Sequence, residues 1–191
     1  MGKVVVTEFV SVDGVMEDPG GAEKDRFDRG GWAFRFERGP EGDRFKLDEL
    51  MAADAQLLGR VTYEGFAKAW PSLEGTGEFG EKMNGMPKFV VSGTLENPEW
   101  NNTTVLRGDD LAAEVGGLKE RFAGDILVAG SAKLVQSLLE QDLVDELRLM
   151  VFPVHLGRGK RLFADGAELP LELADVRRTG DVATLTFIRP R

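Results

Sequence analysis

The stretch DILVAGSAKLVQSLLEQDLVDELRLMVFPV, residues 125–154, decides the fold class of this chain. Its first six residues are mostly apolar and predict a buried β-strand over 125–130. Residues 131–141 predict an amphipathic helix. The apolar face of this helix holds Leu134, Val135, Leu138 and Leu139. A second apolar run predicts a strand over 144–154, so the stretch indicates two parallel strands joined by a right-handed helical crossover.

The same alternation of strands and helices extends through the chain. Before residue 125, strands are predicted over 3–12, 55–58, 88–92 and 103–107, and helices over 43–54, 60–69, 77–86 and 109–124. After residue 154, two strands follow without a convincing helix, over 171–179 and 182–190. We therefore expect an α/β, three-layer α-β-α fold with a central eight-stranded, mostly parallel sheet and an antiparallel C-terminal hairpin. No repeat or linker-like tract divides residues 1–191, which predicts a single domain.

The composition excludes several kinds of site. The chain has no cysteine and a single histidine, so zinc–thiolate sites, cysteine nucleophiles and multi-histidine metal sites are ruled out, and no metal is predicted. His155 follows an apolar strand run and is interpreted as a strand-end residue. The formal net charge of −9 argues against nucleic-acid binding. No apolar run approaches the roughly 20 residues of a membrane span, and no signal peptide precedes the first strand, so we expect a cytoplasmic protein.

Three predicted strand ends carry small or hydroxyl residues in a turn: LLG-RVT at 57–62, VVS-GT at 90–94 and LVAG-SAKL at 127–134. Two of these turns lead directly into helices, whose N-termini offer unpaired amides to a phosphate. The carboxyl ends of parallel strands meet at one edge of a sheet, where open α/β sheets bind ligands. Capping explains each turn taken alone, since Ser131 is a good N-cap and Gly59 suits a turn. Both interpretations stay open at this point.

The order of these motifs resembles a known family. SVDG at 11–14, LLGRVTYE at 57–64, KFVVSGT at 88–94 and the block from Leu127 to Phe163 are similar to the dihydrofolate-reductase-like superfamily. The resemblance is to the branch named for the reductase domain of the bifunctional riboflavin-biosynthesis protein. It extends from residue 3 to about residue 187 and is most specific over 127–163.

This resemblance implies an NADPH site along the carboxyl edge of the sheet and hydride transfer to a small heterocyclic substrate. The residues that match the cofactor-binding motifs are Gly59, Arg60, Thr62, Ser92, Thr94, Gly130, Ser131, Ala132, Lys133 and Leu134. Arg60 matches the position near the adenosine 2′-phosphate, and residues 130–134 match the pyrophosphate-binding turn. A guanidinium suits a phosphate, so the resemblance implies a preference for NADPH over NADH.

The sequence also departs from the wider superfamily. The turn contains Gly130-Ser131 instead of two successive glycines, as in small stand-alone members of the riboflavin branch. No Leu-Pro-Trp run precedes a candidate pterin carboxylate, and Asp48 and Glu49 are interpreted as solvated positions of an amphipathic helix. Folate reduction is therefore not predicted.

The reacting end of the site is less clearly marked. The resemblance places Asp13 of SVDG near the nicotinamide, where a carboxylate could orient a substrate N–H or relay a proton. An ordinary Asp-Gly turn explains the same dipeptide equally well. Phe9 and Trp32 are candidates to flank a flat heterocycle, although aromatic residues are more often part of the core. Residues 17–43 are a candidate lid over the substrate, with disorder as the alternative.

The predicted function is an NADPH-dependent reductase of a small heterocycle. The substrate would be the 5-amino-6-(5-phosphoribosylamino)uracil of riboflavin biosynthesis or a pterin. The alternative is a nucleotide-binding protein without reductase turnover, serving as a sensor or a dimeric scaffold. A homodimer is expected from the resemblance, with the apolar strand Leu147 to Val154 as a candidate contributor to its interface.

Overall fold

The structure is a computed structural model of the chain and describes residues 1–22 and 26–190. Within these residues it contains one sheet of eight strands and five α-helices. The strands are β1 (Lys3–Ser11), β2 (Ala53–Gly59), β3 (Lys88–Val91), β4 (Thr103–Leu106), β5 (Asp125–Ala129), β6 (Glu146–Phe152), β7 (Glu172–Thr179) and β8 (Val182–Ile188). The helices are α1 (Gly39–Ala52), α2 (Arg60–Ala69), α3 (Gly77–Gly85), α4 (Leu111–Arg121) and α5 (Ala132–Glu140).

The strand order is β4-β3-β2-β5-β1-β6-β8-β7. All neighbouring pairs from β4 to β6 are parallel, whereas β8 runs antiparallel to both β6 and β7. The predicted α/β fold with its antiparallel C-terminal hairpin is therefore confirmed. The unit from β5 through α5 to β6 is the predicted parallel crossover, and β1 lies between its two strands.

Helices cover both faces of the sheet, and the side chains of β1 point alternately to the two helical layers. Val4, Val6 and Val10 pack against the apolar faces of α4 and α5. Val5 faces the other way, into a cluster with Leu50 of α1 and residues of α2 and α3. Full burial of an aliphatic side chain of this size contributes about 1.5–3 kcal/mol, so the two clusters hold the three layers together.

Three boundaries or connections differ from the sequence predictions. Helix α1 begins at Gly39, four residues earlier than predicted, with a proline in its first turn. Strand β2 begins at Ala53 because a register shift between Ala53 and Ala55 extends its pairing with β5. No helix connects β3 to β4, although interleaving was predicted there. Trp100 anchors this connection instead, since its backbone N–H donates to the Tyr63 hydroxyl and its indole N–H to Asn84.

The strand proposed as an interface element lies inside the protein. Strand β6 pairs with β1 on one side and β8 on the other, and Leu147, Met150 and Phe152 are buried in the core. These three side chains are therefore unavailable to a second subunit, whereas Val151 and Val154 are half-buried and the interface role of residues 147–154 stays a prediction. The homodimer itself stays a prediction.

The candidate lid over residues 17–43 is described in part. Residues 23–25 lie outside the described residues, so the lid prediction cannot be followed across them. The flanking parts are tied to the body of the protein. The Gly31 amide donates to the Asp18 carbonyl, and the Lys160 ammonium pairs with the Glu17 carboxylate at 2.8 Å.

Candidate functional site

The three turns singled out in the sequence lie side by side, because they follow the adjacent strands β3, β2 and β5. Two of them are joined directly. The Gly59 amide donates to the Ser131 hydroxyl at 2.8 Å, and the Ser131 amide donates to the Thr62 hydroxyl at 2.9 Å. The start of α2 and the start of α5 therefore form one hydrogen-bonded unit, which we call the double turn (residues 59–62 and 130–131).

Close backbone approach explains the glycines of the double turn. Gly130 has a φ of 62°, and a Cβ at this position would lie 2.9 Å from both the hydroxyl and the methyl group of Thr62. Ser131 is also left-handed, with a φ of 63°. A non-glycine residue in this region costs about 1–2 kcal/mol. Ser131 is one of four non-glycine residues with a positive φ in the described part of the chain, and it is the one that lies in the double turn.

The third turn is closed by its own side chain. The Ser92 hydroxyl accepts hydrogen bonds from the amides of Thr94 and Leu95, at 3.2 and 3.0 Å. Ser92 is buried and Thr94 is exposed. This is the local turn geometry that capping alone explains, so the predicted adenosine-side role of these two residues stays a prediction.

The basic residues of the predicted clamp are on the surface. The Arg60 guanidinium contacts both carboxylate oxygens of Glu64, at 2.9 and 3.1 Å, and both side chains are about half exposed. An exposed pair of this kind contributes only about 0.3–0.5 kcal/mol, so Arg60 can exchange Glu64 for a phosphate. Lys133 is exposed in the first turn of α5, whereas Ala132 and Leu134 pack against the core and support the turn from below.

An aromatic cleft of about 350 Å³ opens beside the end of β1. The residues that line it include Phe9, Phe34, Phe36, Arg38, Asp43 and Phe152. The Phe9 ring lies 5.2 Å from the Phe152 ring, and two cations approach it, the Arg38 guanidinium at 5.4 Å and the Lys46 ammonium at 5.2 Å. The cleft thus offers a flat apolar surface whose border carries an ion pair, with the Arg38 guanidinium 2.8 Å from the Asp43 carboxylate.

Trp32 does not line this cleft. Its side chain is fully buried, its indole N–H donates to the Glu17 carbonyl at 2.9 Å, and its ring packs edge-on against Phe152. The short 3-10 helix Trp32–Arg35 turns it into the core. Direct contact between Trp32 and a substrate is incompatible with this burial, so Trp32 supports the cleft from behind while Phe9 lines it.

The Asp13 carboxylate holds a loop together. It accepts hydrogen bonds from the Ser11 hydroxyl at 2.7 Å and from the amides of Leu156 and Gly157 at 3.0 and 2.7 Å. Burial raises the pKa of Asp13, but the hydrogen bonds from Leu156, Ser11 and Gly157 outweigh it, and the pKa lies well below its ordinary value. This carboxylate is therefore ionised and engaged, which matches the Asp-Gly turn interpretation and disfavours a proton relay.

The expectation that Glu49 is solvated is wrong. Only 4% of Glu49 is exposed, and its carboxylate accepts a hydrogen bond from the Thr7 hydroxyl at 2.9 Å and pairs with Lys46. The orientation of α1 explains why Glu49 is buried, since Glu49 lies one turn after Lys46 and faces the sheet. The preceding residue, Asp48, is exposed and pairs with Arg44 at 2.7 Å. Helical spacing counted only Leu47, Leu50 and Met51 as inward-facing residues.

Glu8 is a second buried carboxyl group that the sequence interpretation missed. It lies in β1 next to Thr7 and is 5% exposed. Burial raises the pKa of Glu8 well above its ordinary value, although the amide of Gly130 partly opposes the shift. Its Oε1 has no hydrogen-bond partner among the described residues. The presence of a charged residue inside the β-branched run KVVVTEFVSV is the sequence signal that could have identified Glu8 as a buried carboxyl group.

Two kinds of feature are not found in the described part of the chain. Its His, Asp and Glu side chains form no group of three or more that could hold a metal ion. No helix within residues 1–22 and 26–190 has the length and apolar character that crossing a membrane requires.

The eight-stranded sheet of this order gives the chain a dihydrofolate-reductase-like α/β fold. Comparison with protein families gives the narrower assignment. The RibD C-terminal domain family model matches residues 2–185, and the chain belongs to that family. The predicted resemblance is thereby confirmed.

Individual proteins are also similar to this chain. The chain is 28% identical over 188 residues to uncharacterized protein YwjB of Bacillus subtilis (strain 168), with 98% of each chain covered. A crystal structure from Shewanella sp. PV-4, named as a candidate riboflavin biosynthesis protein, matches with a TM-score of 0.77 and 20% identity over the full length of both chains. Dihydrofolate reductase from Enterococcus faecalis, complexed with NADP(H), matches with a TM-score of 0.58 and 14% identity, covering 100% of this chain and 98% of that chain. At these identities the two structures show the fold alone.

Proposed function

We propose that this protein is an NADPH-dependent reductase that transfers a hydride to a small heterocyclic substrate. The double turn is the observation that carries the proposal. It brings two helix N-termini together at the carboxyl edge of the sheet, and at Gly130 it leaves no room for a Cβ. The amides of Gly59 and Ser131 are used within the double turn, so a dinucleotide pyrophosphate would be bound by the amides in the first turns of α2 and α5, which have no partner within their own helices.

The cofactor preference follows from Arg60. Its position in the first turn of α2 places a guanidinium beside the double turn, held by a weak surface pair with Glu64. A bound 2′-phosphate offers two negative charges and a bidentate geometry to the same guanidinium. Arg60 therefore favours NADPH over NADH, with Lys133 as a second cation at the start of α5.

The substrate would occupy the aromatic cleft. Phe9 and Phe36 present flat surfaces to a heterocycle, while Arg38, paired with Asp43, offers N–H donors at the border of the cleft. This combination suits a flat heterocycle with polar substituents, of the phosphoribosylaminouracil type or of the pterin type. NADPH, when bound, supplies the hydride, and the protein contributes alignment and exclusion of water. Asp13 contributes by fixing the loop at residues 156–157.

A turnover assay tests the proposal. Purified protein is mixed with NADPH and a panel of uracil-type and pterin-type heterocycles, and NADPH oxidation is followed by its absorbance. We expect oxidation that depends on the heterocycle, together with at least a tenfold rise in the KM for NADPH in the Arg60→Ala variant. The variant Lys68→Ala, which removes an exposed cation from the same helix, should behave like the unaltered protein.

Binding of NADPH without oxidation in the presence of any panel member would contradict the reductase proposal. That result would favour the alternative of a nucleotide-binding protein without turnover. The occupied carboxylate of Asp13 is the observation that favours this alternative, because it leaves the cleft without the acid that was predicted there.

A further inference from the structure

Glu8 lies directly behind the double turn. In the parallel pairing of β1 with β5, Thr7 is opposite Ala129, so Glu8 is next to Gly130. The Gly130 amide interacts with the Glu8 carboxyl group and partly opposes the rise in its pKa. The remaining oxygen, Oε1, is buried and has no hydrogen-bond partner in the described residues. A buried carboxyl group with an unpartnered oxygen therefore lies beside the turn at which we propose the pyrophosphate binds.

The surroundings of Glu8 leave it without a cation of its own. Val6 and Val10 lie on the same face of β1, and Leu149 is its register partner on β6. The charged groups that act on it are Lys46 and Glu49 of α1. Lys46 is already paired with Glu49 and donates to Thr7 at 2.7 Å. The ammonium of Lys46 is thus engaged by Glu49 and Thr7, and burial keeps the pKa of Glu8 raised.

We propose that Glu8 is a positioning residue for the Gly130–Ser131 turn. The neutral carboxyl group of Glu8 holds this turn in place, and Glu8 must be protonated for the turn to accept a phosphate-bearing ligand. Its oxygen Oε1 is not accessible to solvent, so Glu8 acts through the Gly130 amide and does not touch the ligand. When Glu8 is ionised, a negative charge lies behind amides that would otherwise face an anion, and the like charges repel. This inference rests on the proposed function, because it assumes that the double turn binds the cofactor.

The sign of the linkage follows from the raised pKa. Below the pKa of Glu8 in the free protein, the carboxyl group is neutral and the affinity for the ligand is at its maximum. Above that pKa, binding requires uptake of a proton, so the dissociation constant rises by up to about tenfold per pH unit. Glutamine has nearly the shape of the neutral acid and keeps an oxygen for the Gly130 amide, but it does not titrate.

The test is calorimetric titration with NADP⁺ between pH 6 and pH 10, on the unaltered protein and on Glu8→Gln. We expect the affinity of the unaltered protein for NADP⁺ to fall toward high pH. In Glu8→Gln the affinity should change less than threefold over this range, once the pH dependence that comes from ionisation of the ligand itself has been divided out. At the highest pH, Glu8→Gln should bind at least tenfold more tightly. Glu140→Gln, the same substitution at the exposed end of α5, should keep the pH profile of the unaltered protein.

The outcomes are distinguishable. If the affinity for NADP⁺ depends on pH in the same way in the unaltered protein and in Glu8→Gln, whether it falls in both or stays constant in both, the role of Glu8 is overturned. The proposed function is then unaffected. Failure of the unaltered protein to bind NADP⁺ at any pH would overturn both. A thermal unfolding measurement on Glu8→Gln confirms that the comparison is made between folded proteins.

Discussion

Replacing Lys88 by methionine should lower the free energy of unfolding by about 3 kcal/mol at pH 7. Lys88 is fully buried, and its ammonium donates to three backbone carbonyls, those of Asn84 and Met86 at 2.9 Å and of Asn101 at 3.1 Å. Methionine fills a similar volume but leaves the three carbonyls unpaired, and each unpaired buried group costs about 1 kcal/mol or more. Chemical denaturation measures the difference, and Lys68→Met on the exposed face of α2 is the matched control.

The pH dependence of this difference has a defined sign. Burial lowers the pKa of Lys88 to about 8 from an ordinary value of 10.5. Between these values the unfolded chain holds a proton that the folded protein has released, so the contribution of Lys88 to stability rises with pH across this window. The gap between the unaltered protein and Lys88→Met should therefore widen from pH 8 to pH 10. A gap that is small at pH 7 and unaffected by pH would show that the carbonyls find other partners.

Replacing Gly130 by alanine should weaken NADPH binding by roughly 100-fold. The left-handed backbone at this position costs about 1–2 kcal/mol of conformational energy for alanine. A Cβ at 2.9 Å from Thr62 adds a steric strain of about 1–3 kcal/mol, and the double turn must shift to relieve it if the fold is kept. The shift breaks the hydrogen bond from the Ser131 amide to Thr62 and so moves the amides that would face the pyrophosphate. Titration with NADPH measures the loss.

Gly116→Ala is the control for this substitution. Gly116 lies within α4, its added Cβ would meet no atom within 4 Å, and alanine favours a helix interior by about 0.5–1 kcal/mol. This variant should bind NADPH like the unaltered protein and unfold at a slightly higher temperature. Equal binding by Gly130→Ala and Gly116→Ala would show that the double turn does not hold the cofactor.

The elements of this fold could be predicted because their sequence periods are clear. Strand β1 is a run of β-branched residues, and α5 places four apolar residues on one face. The double turn could also be located, since Gly59 and Gly130-Ser131 follow buried strands directly. The two hydrogen bonds that join these turns could not be predicted, because they connect residues about 70 positions apart.

Buried polar groups were the main failure of sequence interpretation. Helical spacing treats every carboxylate as solvated, so it could not show that Glu49 faces Thr7. In β1 the apolar run was interpreted as a buried strand without attention to Glu8, whose neighbour Gly130 belongs to another strand end. The burial of Lys88 follows from three carbonyls supplied by separate segments, which no local pattern records. Trp32 illustrates the converse case, since an aromatic residue that was a candidate to flank a heterocycle belongs to the core.

The most direct test of the central claim is a titration of the purified protein with NADPH and, separately, with NADH. The double turn and Arg60 predict that NADPH binds at least tenfold more tightly than NADH, and that this preference disappears in Arg60→Ala. Absence of binding by either nucleotide would contradict the account, since the carboxyl edge of the sheet would then hold no dinucleotide site.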